Sequence, residues 1–380
     1  MKNINYLRAD PKSPFPLSFC MNACDASTWK AVQENLETMV PAVKALVAPD
    51  RPFPVSLHLG NRAQMEALGH SNDLQKWLET HDCFLIALNA FPYGRFQNVR
   101  VKTKVYRPNW TDPDRLTYTR RAIAFLSGFI GEGQTGTVTT VPGGWGGDWI
   151  SPDDDREALK NLRKAAAYCR EIENLTGRPI RIAVEPEPGC AWELFDRRLA
   201  TLGPEIGWCL DPCHAAVDFR SIENLDWSRI ARVQLSAAIE CDNTPAARAA
   251  LAPFVEPRYL HQTRAAVDGE IIGAWPDLPD ALADLPKLPR QAVIRTHYHV
   301  PLTWPGAGPL RSTRANLTPA FFQQAHQTFC EVETYTYAVL PPALRPGSFA
   351  DGTAAELRWA TERYGFSSST KRNTVSPGLA

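Results

Sequence analysis

Nine short apolar runs, each of strand length and each ending in polar residues or in Gly or Pro, recur along this 380-residue chain. They cover 17–22, 54–60, 83–89, 137–141, 181–185, 206–211, 230–236, 293–299 and 330–336. Helix-like segments separate several of them. The clearest is DDDREALKNLRKAAAYCREIENL, with an Asp cluster before its first turn, an apolar stripe at i, i+3, i+4 spacing and a stop at Thr176 and Gly177. AWELFDRRLATL also suits a helix face. Continuous apolar strands alternating with helices predict a parallel sheet buried on both faces. The expected fold is α/β, a (β/α)₈ TIM barrel, which needs eight strands and leaves one run over. Either 230–236 or 293–299 is the extra strand. Between them 237–292 is rich in Pro, Asp and Ala, contains the hairpin-like AAVDGEII, and reads as an insertion late in the barrel. Length alone allows two or three domains at roughly 150 residues each, but the strand spacing favours one barrel over 1–365. The polar residues 366–380 are expected to form a disordered tail.

Charge narrows the function classes. With 41 basic and 41 acidic side chains the formal net charge is zero, so nothing draws the chain toward nucleic acid or an anionic membrane. The N-terminal MKNINYLRADPKSPFP lacks the apolar stretch of a signal peptide, and no window of ~18 uncharged apolar residues offers a membrane span. A cytoplasmic protein is expected. The nine cysteines include no C-x-x-C pair and sit within apolar runs, which predicts buried free thiols.

In a parallel barrel the ligand site lies at the carboxyl ends of the strands, and here those ends carry the charged residues. RIAVEPEPGC presents Glu185 and Glu187, GWCLDPCH presents Asp211 with His214 three residues on, and CEVETYTY presents Glu331 and Glu333. RVQLSAA offers Gln234, and VIRTHYHVPL places His297 and His299 on one face. Singly, each has a plainer use. Asp211 before Pro212 suits a helix N-cap, Glu185 a salt bridge, Glu187 a loop, and each His or Gln a satisfied core position. Together they are harder to dismiss, because several carboxylates buried at one mouth without a cation cost more than a fold tolerates. A divalent cation, Mn²⁺, Mg²⁺, Co²⁺ or Zn²⁺, fits such ligands. Beside a polarised carbonyl, two glutamates can take and return a proton through an enediolate, which is isomerase or epimerase chemistry.

Other strand ends and loops supply candidate contacts to a small-molecule substrate. His58 and Asn89 end the second and third runs. The following loop, FPYGRFQNVRVKTKVYRPNW, combines aromatics such as Tyr93 with Arg95, Lys102 and Lys104. GGWGG around Trp145 lacks the Lys-Ser/Thr of a Walker loop and reads as a tight turn at the mouth. His214 and His297 join this set.

Glu185 in VEPEPG, Asp211 and His214 in LDPCH, and Glu333 in VETYTY resemble, in order and placement, the xylose-isomerase-like barrel superfamily of sugar isomerases and epimerases. The chain more closely resembles the EboE-type proteins, through SFCMNACDASTW, ALNAFPYGRFQNVRVKTKVYRPNW, TVTTVP, EPEPG, LDPCH, VQLSAA, YLHQ, THYHVPL and EVETYTYAVLP, which span about 16–341. The superfamily resemblance implies a metal held by Glu, Asp, His and Glu from the last four strands, with the two glutamates flanking the substrate. Carried over, these fall on Glu185, Asp211 and Glu333, with Glu185 and Glu333 catalytic. The third ligand departs from the pattern: it is Gln234 if RVQLSAA is strand seven, or His297 or His299 if THYHVPL fills that role. The EboE resemblance implies metabolite traffic and partner proteins of the same pathway. Two functions follow, a metal-dependent isomerase or epimerase and a noncatalytic barrel that binds and hands on a metabolite. A nuclease of the type IV endonuclease kind shares this barrel, but the zero net charge argues against it.

Overall fold

The computed structural model describes residues 15–193, 195 and 197–365. Its strands are β1 (Leu17–Phe19), β2 (Phe53–His58), β3 (Cys83–Asn89), β4 (Gly136–Thr140), β5 (Ile180–Val184), β6 (Ile206–Leu210), β7 (Ile230–Leu235), β8 (Ile239–Asp242), β9 (Thr263–Val267), β10 (Glu270–Trp275), β11 (Val293–Thr296), β12 (Gly306–Ala307), β13 (Leu310–Ser312) and β14 (Phe329–Val332). Eight of them, in the order β1-β14-β7-β6-β5-β4-β3-β2, form a parallel sheet. Its two end strands meet through a parallel bridge between Cys20 and Ser56, and Ser18 Oγ donates to Pro54 O at 2.8 Å. The sheet therefore curls into a nearly closed barrel, as the alternation of apolar runs and helices predicts.

Local sequence explains the longest described helix. In α1 (Pro152–Thr176), Ser151 and Asp154 form a capping box, three aspartates occupy the first turn, and Gly177 ends the helix at φ +70°. Its Ala158, Leu162, Ala165, Ala166 and Cys169 turn toward the barrel and are buried. AWELFDRRLATL behaves differently. The described residues there hold only a 3₁₀ turn, Arg197–Thr201, where a helix was expected. Ala191 N donates to Gly144 O, and Trp192 Nε1 donates to Asp155 Oδ1 at 2.7 Å, so the start of the segment is tied to the loop after β4 and to the first turn of α1.

The surplus run is resolved by its pairing. Residues 230–235 form barrel strand β7, whereas Val293–Thr296 lies in a second, antiparallel sheet of order β10-β9-β11-β8-β13-β12. This excursion between β7 and β14 has strands from Ile239 to Ser312 and so runs beyond the expected 237–292. Periodicity identifies VIRT as a strand but carries no information about its partner. The free cysteines are buried except Cys83, which is half-buried. No helix among the described residues is long and apolar enough to cross a membrane. The expected tail, 366–380, lies outside the described residues.

Inside the barrel, Arg232 of β7 forms a buried ion pair with Glu331 of β14. The guanidinium also donates to Ser56 Oγ at 2.6 Å and Leu88 O at 3.1 Å. Glu331 is thus part of the barrel interior, one layer below Glu333 on the same face of the chain.

Candidate functional site

Three carboxylates converge where the strands end. Glu185 follows β5 directly, Asp211 follows β6, and Glu333 follows β14; each offers an oxygen within 4.8 Å of the others. Asp211 does two things. Its Oδ1 caps α2 (Pro212–Val217), accepting from Cys213 N at 2.7 Å and His214 N at 3.1 Å, and also accepts from Ser236 Oγ at 2.6 Å. Its Oδ2 is buried and has no hydrogen-bond partner among the described residues. Glu333 Oε1 accepts from Asn22 Nδ2 and, at 2.9 Å, from Gln234 Nε2.

Three imidazoles complete the cluster, and each has its Nδ1 against an oxygen that can only accept. His214 Nδ1 lies 3.0 Å from Pro186 O, His299 Nδ1 2.8 Å from Glu333 O, and His297 Nδ1 2.6 Å from Gln262 Oε1. The Gln262 amide is oriented by its nitrogen, which donates to Tyr106 Oη, Glu187 Oε1 and Pro188 O. The hydrogen on each Nδ1 is thereby fixed, which turns Nε2 toward the cluster. His299 Nε2 is buried, without a hydrogen-bond partner, and 3.7 Å from Asp211 Oδ2. Both histidines from THYHVPL reach the mouth because β11 delivers the chain there.

The electrostatics follow from this crowding. Burial, then repulsion from Glu333, Asp211 and Glu187, pushes Glu185 well above the usual carboxylate range. Burial, with Asp211 and Glu331, does the same to Glu333. Burial also works against a charged Asp211, yet His214, His299 and the Ser236 hydroxyl outweigh it and lower its pKa. Burial brings His299 down to about 4 and His297 well below the ordinary imidazole value.

A cavity opens over the cluster. Glu185, Glu187, His214, His297, His299 and Glu333 line its floor, with Asn22 and Asn89. Its walls are mostly apolar or aromatic, including Phe91, Phe96, Val105, Tyr259, Leu260 and Tyr335. Lys102 is also on the wall, but its Nζ is 2.5 Å from Asp277 Oδ2 and 3.2 Å from Glu256 O, so its charge is matched. His58, buried with Nε2 against Pro92 O at 3.3 Å, sits behind Phe96. Trp145 stacks on Tyr106 from outside the cavity, and Tyr93 packs its ring against Tyr118. Gln234 lies beneath the cluster, its Oε1 accepting from Cys209 Sγ at 2.9 Å. Sequence reasoning passed over Asn22, though it ends the first run, and over Tyr106, Tyr259, Gln262 and Tyr335. The YLHQ segment around Tyr259 and Gln262 has no local pattern that points to the mouth.

No protein-family model matches the chain, and the curated proteins yield no match. Among solved structures, it is similar to the IolI protein with a binding zinc atom, at 13% identity and TM-score 0.49, covering 92% of this chain and 98% of that one. It is also similar to a D-tagatose 3-epimerase-like protein, at 15% identity and TM-score 0.34, covering 48% and 66%. A family 2 AP endonuclease from Brucella melitensis gives 15% and 0.34, covering 53% and 73%.

Proposed function

We propose that the mouth cluster holds a divalent cation and that the protein is an isomerase or epimerase of a small carbonyl compound. The observation that carries this reading is the pair of buried, unpartnered atoms, Asp211 Oδ2 and His299 Nε2, set among two further carboxylates. Lone pairs so arranged repel one another unless a cation or protons lie among them. Glu185, Asp211, His299 and Glu333 would hold the ion. Gln234 is a poorer candidate, since its oxygen takes the Cys209 thiol and its amide nitrogen holds Glu333. The excursion thus supplies the imidazole that β7 lacks.

A bound divalent cation supplies a Lewis acid that polarises a carbonyl. Glu185 and Glu333, carried by β5 and β14, would move the proton: one would remove it beside the carbonyl and, in an epimerisation, the other would return one to the opposite face of the same carbon. In an isomerisation a proton would return to the former carbonyl carbon while the hydroxyl proton passes to the former carbonyl oxygen. Asn22 and Gln234 hold Glu333 Oε1 and leave Oε2 for the exchange. The apolar walls fit a substrate with a hydrocarbon or aromatic body and one polar end on the cluster. A sugar phosphate fits poorly, because the one lysine on the wall is already paired.

The resemblance to EboE-type proteins adds metabolite traffic as a setting and proteins of that pathway as partners. A second reading, a barrel that binds and hands on a metabolite without chemistry, is supported by the same aromatic walls, which suit retention as well as turnover. Metal content and proton exchange separate the two. Protein loaded with Mn²⁺ or Zn²⁺ is incubated in D₂O with aldoses, ketoses and aryl- or alkyl-substituted α-hydroxy ketones, and NMR follows the proton beside the carbonyl. Exchange that disappears in Glu185→Gln and Glu333→Gln upholds the isomerase. Stoichiometric metal with no exchange across the panel favours the binding barrel, and the absence of both bound metal and exchange overturns the isomerase and leaves the binding barrel.

A further inference from the structure

Asn22 has one polar atom that the chemistry proposed above does not use. The residue lies in the 3₁₀ turn Met21–Ala23 after β1, is only 5% exposed, and lines the cavity floor. Its Nδ2 donates to Glu333 Oε1, on which Gln234 Nε2 also converges at 2.9 Å. That contact orients the amide, because the reverse placement would set one acceptor oxygen against another. Oδ1 is the atom left over, buried and without a hydrogen-bond partner among the described residues. The backbone beneath it is held from two sides. Asn22 O accepts from Gln97 Nε2 at 2.7 Å, and Gln97 Oε1 accepts from Tyr259 Oη at 2.6 Å, so the loop after β3 and the excursion both fix the turn. The other asparagine on the floor is satisfied at both ends: Asn89 Oδ1 accepts from Phe91 N, and its Nδ2 donates to Cys20 Sγ.

We infer, taking the mouth as the substrate site proposed above, that Asn22 is a specificity-determining residue whose Oδ1 accepts a hydrogen bond from a substrate hydroxyl on or beside the carbon that Glu333 serves. One amide then does two things. Its nitrogen holds the carboxylate that moves the proton, and its oxygen reads the group next to the reacting carbon. A hydroxyl satisfies that oxygen, whereas a methylene leaves it buried and unpaired and a carboxylate or carbonyl sets lone pairs against it. The apolar walls cannot make this distinction, since they meet either body through shape alone.

The test uses matched probes on full-length protein dialysed against Mn²⁺. α-Hydroxypropiophenone is paired with propiophenone, and hydroxyacetone with acetone, so that each pair differs by one hydroxyl beside the carbonyl. Titration calorimetry reads binding, and NMR in D₂O reads exchange of the proton beside the carbonyl. Wild type is compared with Asn22→Ala, Asn22→Ser and Asn22→Asp, and circular dichroism checks that each is folded. Wild type should prefer the hydroxylated member, and Asn22→Ala or Asn22→Ser, whichever is folded, should lower that preference about 10- to 100-fold. Asn22→Asp retains an oxygen at the Oδ1 position but not the amide donor, so exchange should fall for both members while the preference stays. Loss of the Glu333 contact acts on both probes and cancels in their ratio. An equal fall for both members in Asn22→Ala and Asn22→Ser, with the preference kept, therefore overturns this role and leaves the isomerase standing. A binding preference that these variants abolish, with no exchange by any form, upholds the role of Asn22 and overturns the isomerase. Wild type without a preference in either pair, bound or exchanged, overturns the role of Asn22.

Discussion

Glu331 and Glu333 stand two residues apart on one face of the same strand end, and their surroundings are opposite. Glu331 is buried against the Arg232 guanidinium, which is further held by Ser56 and Leu88. Glu333 is equally enclosed, but its near neighbours are Asp211, two amide donors and His299, and Arg232 acts on it without an ion pair. A buried carboxylate needs a countercharge or a proton. The barrel interior supplies the countercharge from its own sequence, and the mouth does not. That difference separates a charge kept for the fold from one kept for a ligand.

Removing the internal countercharge is the strongest way to break the contrast. Arg232→Met leaves Glu331 buried and alone, and should cost about 3–5 kcal/mol in urea unfolding, whereas Arg232→Met/Glu331→Leu should recover most of the loss. If the single variant costs under about 1 kcal/mol, the pair does not anchor the interior. The next effect is at the mouth. Zinc at about 100 times its dissociation constant should stabilise wild type by about 2.7 kcal/mol in thermal or urea unfolding. Glu333→Gln should lose most of that gain, while Arg232→Met/Glu331→Leu should keep it.

A third buried carboxylate sharpens the comparison, because among the described residues it has donors but no ion-pair partner. Glu356, in a helix over Phe349–Arg363, accepts from Leu302 N at 2.7 Å, from Thr334 Oγ1 at 2.9 Å and from Tyr337 Oη. Burial wins over these donors and raises its pKa to about 7. Between the ordinary value of 4.5 and about 7, the folded chain holds a proton that the unfolded chain has released, so stability falls as pH rises. The fall attributable to this group is up to about 3 kcal/mol. Glu356→Gln, which resembles the protonated acid, should flatten the slope of unfolding free energy over that window. An unchanged slope would mean that the donors suffice to hold the charge.

These contrasts mark what the sequence discloses and what it withholds. Glu185, Asp211 and Glu333 were legible because parallel strands place their last residues at the mouth, and strand alternation puts Glu331 and Glu333 on one face. Depth along the barrel was not legible, since it depends on register with Arg232, 99 residues earlier. The choice between 230–236 and 293–299 was hidden for a similar reason: both are apolar strands, and only long-range pairing sends Val293–Thr296 to a second sheet. That pairing also decides which imidazole reaches the cluster. Asn22 lies 311 residues from its partner Glu333, so no local pattern could join them.

The smallest effect has the most informative sign. In metal-free protein at neutral pH, Glu333 either carries a charge beside Asp211 and Glu331 or holds a proton at the cost of taking it up. Glu333→Gln removes that penalty while its Oε1 still accepts from Asn22 and Gln234. The variant should therefore be more stable than wild type without metal. With zinc present the order should reverse, because only the native carboxylate binds the ion. No such reversal is open to Arg232→Met, whose loss should be the same with or without zinc. Urea unfolding of both variants in chelator and in zinc measures all four values, and a Glu333→Gln variant that is destabilised in both conditions would place Glu333 with Glu331 as a structural charge.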